Sequence, residues 1–132
     1  MSKTNIIKTG KGVIQTEAEA VFALVDRVNE QFEKAVSAII SCKGRLVVLG
    51  VGKSGLIAQK IAATMASTGT PSQFVHPGDA FHGDLGMITK NDIVLIISNS
   101  GETHELVQII PAIRNKKVHI IGMVGREKST LY

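Results

Sequence analysis

The chain has 132 residues, of which 44% are hydrophobic and 20% charged, with a net charge of +4. This composition excludes a disordered chain, and no apolar run approaches the roughly 20 residues that a membrane-spanning helix needs. The amino terminus lacks the apolar stretch of a signal peptide and Cys42 is the single cysteine, so we expect one domain in a reducing cytoplasm, with no disulfide and no membrane partner.

The basic residues are scattered along the chain rather than gathered into one patch. The densest cluster is Arg114, Lys116 and Lys117, at the predicted end of a helix, where cations complement the helix dipole. The absence of tryptophan and a single tyrosine leave little aromatic surface on which bases could stack. We therefore expect no nucleic-acid partner and interpret the positive charge as an attraction for anionic metabolites.

Residues 14–40 carry apolar side chains at alternating spacings of four and three, which predicts a long helix or a broken pair of helices. The stripe consists of Ile14, Ala18, Val21, Val25, Val28, Phe32, Ala35 and Ile39. It fits either a face that covers the domain's own sheet or a seam between copies of the chain, because a period near 3.5 suits helix pairing. The sequence favours the first interpretation.

Strands and helices alternate after Gly44. Strands are predicted at 45–51, 73–76, 92–98 and 118–124, three of them as near-continuous apolar runs, with helices between them at 54–68 and 102–114. This alternation predicts an α/β fold: a doubly wound, flavodoxin-like parallel sheet in the order 2-1-3-4 over residues 44–132, after a helical segment over 1–43.

Two details qualify this prediction. Pro111 is expected to kink the second helix of the sheet region or to end it early. The last residues, REKSTLY, are interpreted as the start of another helix. If the sheet has only these four parallel strands, the fourth strand lies at its edge without a neighbour on one side. The domain is therefore expected to be cut short at its carboxyl end.

The first predicted strand leads into the segment GVGKSG at 50–55. Its GKS triplet is not a Walker A loop, because that motif needs a glycine five positions before Gly52, where Val47 stands. The GxGxxG spacing fits a dinucleotide site, but no acidic residue occurs between Gly55 and Gly78, where such a site has one. We therefore expect no nucleotide cofactor, and an anion at the start of the following helix.

The third predicted strand leads into Ser98-Asn99-Ser100-Gly101-Glu102-Thr103. Three hydroxyls, an amide and a glycine before a helix are typical of a phosphate site. The alternative is an ordinary capping box, but the position three residues after Ser100 is Thr103 and not Glu or Gln. Strands one and three are neighbours in the predicted order, so both loops are expected to face one cleft and bind one phosphate.

The segment HPGDAFHGDLGMI at 76–88 contains two histidines and two acids among glycines, namely His76, Asp79, His82 and Asp84. This combination favours proton-transfer chemistry over an ordinary surface loop. A metal site is conceivable from these residue types, but no helical HxxxH and no cysteine spacing supports one, and no metal is expected.

Together these segments resemble the SIS (sugar isomerase) domain family, and in particular its arabinose-5-phosphate isomerase branch. The resemblance extends over about residues 17–131 and is carried by GVGKSG at 50–55, KIAATMASTGTP at 60–71, VHPGDAFHGDLGMI at 75–88 and SNSGETHEL at 98–106. It implies conversion of D-ribulose 5-phosphate to D-arabinose 5-phosphate, feeding Kdo synthesis for lipopolysaccharide or capsule, and a homodimer or homotetramer.

The resemblance also implies site residues. The phosphate-binding positions are Gly52, Ser54, Ser98, Asn99, Ser100 and Thr103, and the catalytic positions are Lys53, Asp79, His82 and Glu105. The family usually has Glu where this chain has Asp79. Glu105 stands in the first turn of the helix after the phosphate loop, one turn beyond Gly101, and is the candidate base; His82 is the candidate proton shuttle, and Lys53 would stabilise an oxyanion.

Other interpretations of the sequence stay open. Glu105 could serve only to neutralise a helix dipole, and Lys53 only to contact phosphate. The chain could be a non-catalytic sugar-phosphate sensor, although residues 1–43 lack the short helices and tight turn of a helix-turn-helix. It could also be an inactive fragment, since members of the family continue with a fifth strand, a helix with another active-site histidine and commonly two CBS domains.

Overall fold

The computed structural model describes residues 3–81 and 83–132, apart from the side chains of residues 3, 4 and 81. The chain divides into two compact units, residues 1–36 and 37–132. Within the described residues, no helix is both long and apolar enough to cross a membrane.

Helices form the first unit. α1 spans Lys3–Phe22, a short 3-10 helix spans Val25–Arg27, and α2 spans Glu30–Ser41 and so crosses the boundary between the units. Of the two predicted alternatives, a long helix or a broken pair, the structure has the broken pair, and the first helix begins well before residue 14. The second helix starts where it does because Asn29 Oδ1 accepts hydrogen bonds from the N–H groups of Gln31 at 2.9 Å and Phe32 at 3.4 Å.

The first unit by itself does not cover its apolar stripe: Ile14 is 69% exposed, Val21 67% and Phe32 55%. At the end of α2, within the second unit, Ile39 of the stripe and its neighbour Ala38 pack against buried residues of the sheet, as the first interpretation predicts. For the stripe residues of the first unit, cover for the sheet stays a prediction. The alternative, a seam between copies of the chain, stays a prediction.

The second unit contains a parallel four-stranded sheet in the order β2-β1-β3-β4, as predicted. The strands are β1 (Leu46–Leu49), β2 (Ser72–Val75), β3 (Ile93–Ser98) and β4 (His119–Val124). The helices between them are α3 (Gly52–Ser67), α4 (Pro77–Phe81) and α5 (His104–Asn115). The predicted strands and the two predicted helices lie within two residues of the observed bounds, and α4 is a short helix that the sequence analysis missed.

Both faces of the sheet are covered, which is why β1 and β3 are buried at every position. On one face Val47, Leu49, Val94 and Ile96 pack with residues of α4 and α5, including Leu106, Ile109 and Ile113. On the other face Leu46, Val48, Ile93, Leu95 and Ile97 pack with Ala58 and Ala62 of α3. Alternate residues of β1 and β3 therefore pack against the helices on opposite faces of the sheet, as in a doubly wound fold.

Two local expectations do not hold as stated. α5 does not end early at Pro111 but continues to Asn115, because Leu106, Ile109 and Ile113 of the same helix are fully buried and hold it to the sheet on both sides of the proline. A kink at Pro111 stays a prediction. Residues 126–132 form turns rather than the start of a helix. In these turns the Ser129 hydroxyl donates to the Arg126 carbonyl at 2.8 Å, and the Tyr132 N–H donates to the Ser129 carbonyl at 3.1 Å.

Candidate functional site

The segments that carry the candidate residues leave the sheet at one edge. β1 lies between β2 and β3, with Leu49 in register with both Val75 and Ile96. In parallel strands the carboxyl ends meet at the same edge, so the connections to α3, α4 and α5 start side by side. The expectation that the loops after strands one and three share an edge is confirmed.

The first loop, residues 50–54, joins β1 directly to α3. Val51 is the extended residue before the helix, and no side chain among the described residues caps it. The first hydrogen bond at the start of α3 is donated by the Gly55 N–H to the Val51 carbonyl, at 3.2 Å. The N–H groups of residues 52–54 can therefore bind an anion, and the same turn carries the exposed Lys53 and the half-buried Ser54.

Glycines give the first loop its close turn. A Cβ on Gly50 would lie 2.7 Å from the Ser54 carbonyl oxygen, and one on Gly55 would lie 2.9 Å from the Gly50 carbonyl oxygen. Gly52 has a φ of +57°, which glycine adopts without strain. Backbone packing therefore requires Gly50 and Gly55, and the backbone conformation favours glycine at position 52.

The second loop, residues 98–103, is organised by its own hydroxyls. Ser98 is 2% exposed, and its Oγ accepts from the Gly101 N–H at 3.0 Å and lies 2.9 Å from Thr103 Oγ1. Ser100 Oγ accepts from the Glu102 N–H at 3.1 Å. Gly101 has a φ of +66°, so the loop turns back over Ser98 at this point.

These bonds divide the predicted phosphate residues of the second loop into two groups. Ser98 lies inside the loop and shapes it, whereas Asn99 is exposed and Ser100 and Thr103 are half-buried. Thr103 precedes α5 and does not cap it with its side chain, so the N–H groups of His104 and Glu105 lack a side-chain partner among the described residues. The second loop therefore also presents hydroxyls and N–H groups at a helix start.

The acidic candidates lie on the helices that follow β2 and β3. Glu105 is exposed in the first turn of α5, and Asp79 is exposed in α4, a helix that contacts α5.

The two histidines of the segment at 76–88 differ in what the structure says of them. The His76 Nδ1 accepts a hydrogen bond from the Gly78 N–H at 3.1 Å, so His76 shapes the turn into α4. His82, the predicted proton shuttle, lies outside the described residues. Within the described residues, no three His, Cys, Asp or Glu side chains cluster as a metal site would require.

The sequence analysis missed one residue of the second loop, Glu102. Its carboxylate accepts from Thr130 twice, with Oε2 2.7 Å from the Thr130 hydroxyl and Oε1 2.8 Å from the Thr130 N–H. The pKa of Glu102 lies below its ordinary value, chiefly because of the hydrogen bond from the Thr130 hydroxyl. The hydrogen bond from the Thr130 N–H and the charge of Arg126 act in the same direction, and together they outweigh the effect of desolvation. No local spacing could reveal this pair, because its members are 28 positions apart.

Comparisons with known proteins agree with the resemblance drawn from the sequence. The family model described as SIS domain matches residues 39–132. A Yersinia pestis protein named arabinose 5-phosphate isomerase KdsD is 53% identical over 124 residues, which cover 94% of this chain and 38% of that protein. The chain thus spans less than two fifths of the length of the curated relatives it matches.

Solved structures share the fold. A protein of Escherichia coli CFT073 in complex with arabinose 5-phosphate superposes with a TM-score of 0.93 at 44% identity, covering 99% of this chain and 70% of that one. A Bacteroides fragilis protein, whose assigned role is that of a phosphosugar isomerase involved in capsule formation, superposes with a TM-score of 0.90 at 42% identity. The superposition covers 96% of this chain and 68% of the Bacteroides fragilis chain. With the family model matching most of the residues, the chain belongs to the SIS domain family.

Proposed function

We propose that this chain binds the phosphate of a sugar phosphate between its two loops and forms the core of an aldose–ketose isomerase. The observation that carries the proposal is the pairing of two helix starts, after β1 and β3, on adjacent strands at one edge of the sheet. Each start offers N–H groups and hydroxyls to an anion, and the positive ends of both helix dipoles lie there.

The substrate pair that we propose is D-ribulose 5-phosphate and D-arabinose 5-phosphate. The support comes from the relatives: the Yersinia pestis protein has this activity in its name, and the Escherichia coli structure holds arabinose 5-phosphate. A role in supplying sugar for capsule or lipopolysaccharide is the corresponding proposal, which the assigned role of the Bacteroides fragilis protein supports.

Isomerisation between these sugars moves a proton between neighbouring carbons through an enediol. It needs a base for the carbon-bound proton, a group that moves protons between the oxygens, and a cation near the developing oxyanion. We assign these roles to Glu105, His82 and Lys53, with Asp79 as an additional acid of the same site. Anchoring the unreactive phosphate in the loops holds the carbons near Glu105, in the first turn of α5.

The test is an assay of the interconversion by this chain and by a form extended to the length of its relatives, each with and without Glu105→Gln. The substitution preserves size but removes the base, so kcat should fall by about a hundredfold or more while KM changes little. The exposed acid Glu127, changed to Gln, is the matched control and should leave both constants unchanged.

Parental turnover in the Glu105→Gln variant would exclude Glu105 as the base. Binding of D-arabinose 5-phosphate without turnover by either form would favour a sugar-phosphate-binding module over an isomerase. Failure of the parental protein to bind either sugar phosphate or inorganic phosphate would refute the proposed function as a whole.

A further inference from the structure

The turn after β4, residues 125–131, is hydrogen-bonded to the second loop at both of its ends. At one end the Gly125 N–H donates to the Ser98 carbonyl at 3.2 Å, and at the other the Leu131 N–H donates to the Gly101 carbonyl at 3.1 Å. Between these points a Cβ on Gly101 would collide with the Ser129 side chain. The second loop is therefore supported from outside by a segment that is distant in the sequence.

Glu102 provides the side-chain connection between this turn and the second loop. Both of its carboxylate oxygens are occupied by Thr130, one by the hydroxyl and one by the N–H. Its own N–H donates to Ser100 Oγ, which is one of the hydroxyls predicted to bind phosphate. Movement of Glu102 would therefore move the backbone that orients Ser100.

The charge of Glu102 is unfavourable for the proposed ligand. A carboxylate within an anion-binding loop repels phosphate, so removal of that charge alone would tighten binding. If Glu102 positions the loop, its removal should instead weaken phosphate binding, because loss of the two hydrogen bonds to Thr130 lowers the fraction of molecules whose second loop has the binding conformation. The two effects can therefore be separated by the direction of the change in affinity.

We propose that Glu102 is a positioning residue for phosphate binding, and that it acts by tying the second loop to the turn after β4 through Thr130. The inference rests on the proposed function, because it assumes that the second loop binds phosphate. Glu102 itself does not contact the ligand in this account; Ser100 and the backbone at the start of α5 do.

The experiment measures the Kd of inorganic phosphate and of D-arabinose 5-phosphate by calorimetry on the full 132-residue chain. Glu102→Ala should weaken binding of both about tenfold, as expected if a tenth of the molecules keep a competent loop. Glu102→Gln should restore affinity to within about threefold, because its amide can accept from the Thr130 N–H and donate to the hydroxyl. Glu127→Ala, which removes an equal charge from the turn after β4, should not weaken binding.

Amide hydrogen exchange provides a second measurement that does not depend on a ligand. Exchange at residues 100–103 should accelerate in Glu102→Ala and in Thr130→Val, while exchange in β1 and β3 stays slow, as it does in a folded chain. Unchanged or tighter phosphate binding in Glu102→Ala, equal weakening in Glu102→Ala and Glu102→Gln, or unchanged exchange in the loop would each overturn the proposal. If the parental chain itself binds no phosphate, the proposed function fails, and the inference fails with it.

Discussion

Asp92 connects the amino ends of β1 and β3, at the edge of the sheet opposite the candidate site. It is 6% exposed, and its carboxylate accepts from the Arg45 N–H at 2.7 Å, the Thr89 N–H at 2.7 Å and the Thr89 hydroxyl at 3.0 Å. Asp92→Ala leaves two backbone N–H groups without an acceptor, at a cost of about 1–2 kcal/mol each. We expect the free energy of unfolding to fall by about 3 kcal/mol and the Tm by about 10 °C.

The same substitution makes a prediction about pH. Burial opposes ionisation of Asp92, but the hydrogen bonds from Thr89 and Arg45 and the charge of Arg45 outweigh it, so the pKa lies below the ordinary value of 3.8. A carboxyl with a lowered folded pKa stabilises the fold at pH values above the unfolded pKa, and this stabilisation disappears as the pH falls through the folded pKa. The stability difference between the parental chain and Asp92→Ala should therefore be constant near neutrality and shrink below pH 3.8.

Urea denaturation of both chains at a series of pH values measures these quantities. Asn91→Ala, at the exposed neighbouring position, is the matched control and should change the stability by less than about 0.5 kcal/mol. Phosphate affinity should be the same in all three chains, because Asp92 is at the far edge of the sheet. A loss below about 1 kcal/mol for Asp92→Ala, or a stability difference that does not shrink at low pH, would refute this explanation.

Two further predictions concern the second loop. Replacing Ser98, Ser100 and Thr103 together by Ala should abolish binding of phosphate esters in calorimetry while circular dichroism still reports a folded chain; unchanged affinity would exclude these hydroxyls as the phosphate site. Gly101→Ala should weaken phosphate binding at least about tenfold, because the residue has a φ of +66° and its new methyl group would collide with the turn after β4. Affinity equal to that of the parental chain would show that the close contact is not needed.

The sequence predicts the architecture because the features that determine it are local. The apolar runs of β1 and β3 are long enough for strands and too continuous for one exposed face, which indicates a sheet that is covered on both sides. Glycine and serine between these strands and the following helices mark the two loops. The parallel order 2-1-3-4 is a doubly wound order in which strands one and three are neighbours and their loops meet at one edge, and the structure has it.

Three features could not be predicted in this way, because each depends on packing between distant residues. Pro111 lowers the local preference for helix, yet burial of the neighbouring leucine and isoleucines keeps α5 intact. The stripe over residues 14–40 has the period of a buried face, but a period alone does not say what covers it, and the first unit by itself leaves its part of the stripe exposed. Residues 126–132 have enough polar helix formers to suggest a helix, but they form turns that bond to the second loop.

By itself, the sequence determined the fold class, the strand order, the edge at which the loops meet and the residue types that a phosphate needs. Only the tertiary structure decided how the hydroxyls of the second loop are used, with Ser98 buried inside it and Ser100 and Thr103 less enclosed. It alone paired Glu102 with Thr130 across 28 positions. The physical reason is that strands and helix starts follow from short-range patterns, whereas hydrogen bonds between separate segments exist only once the sheet has brought them together.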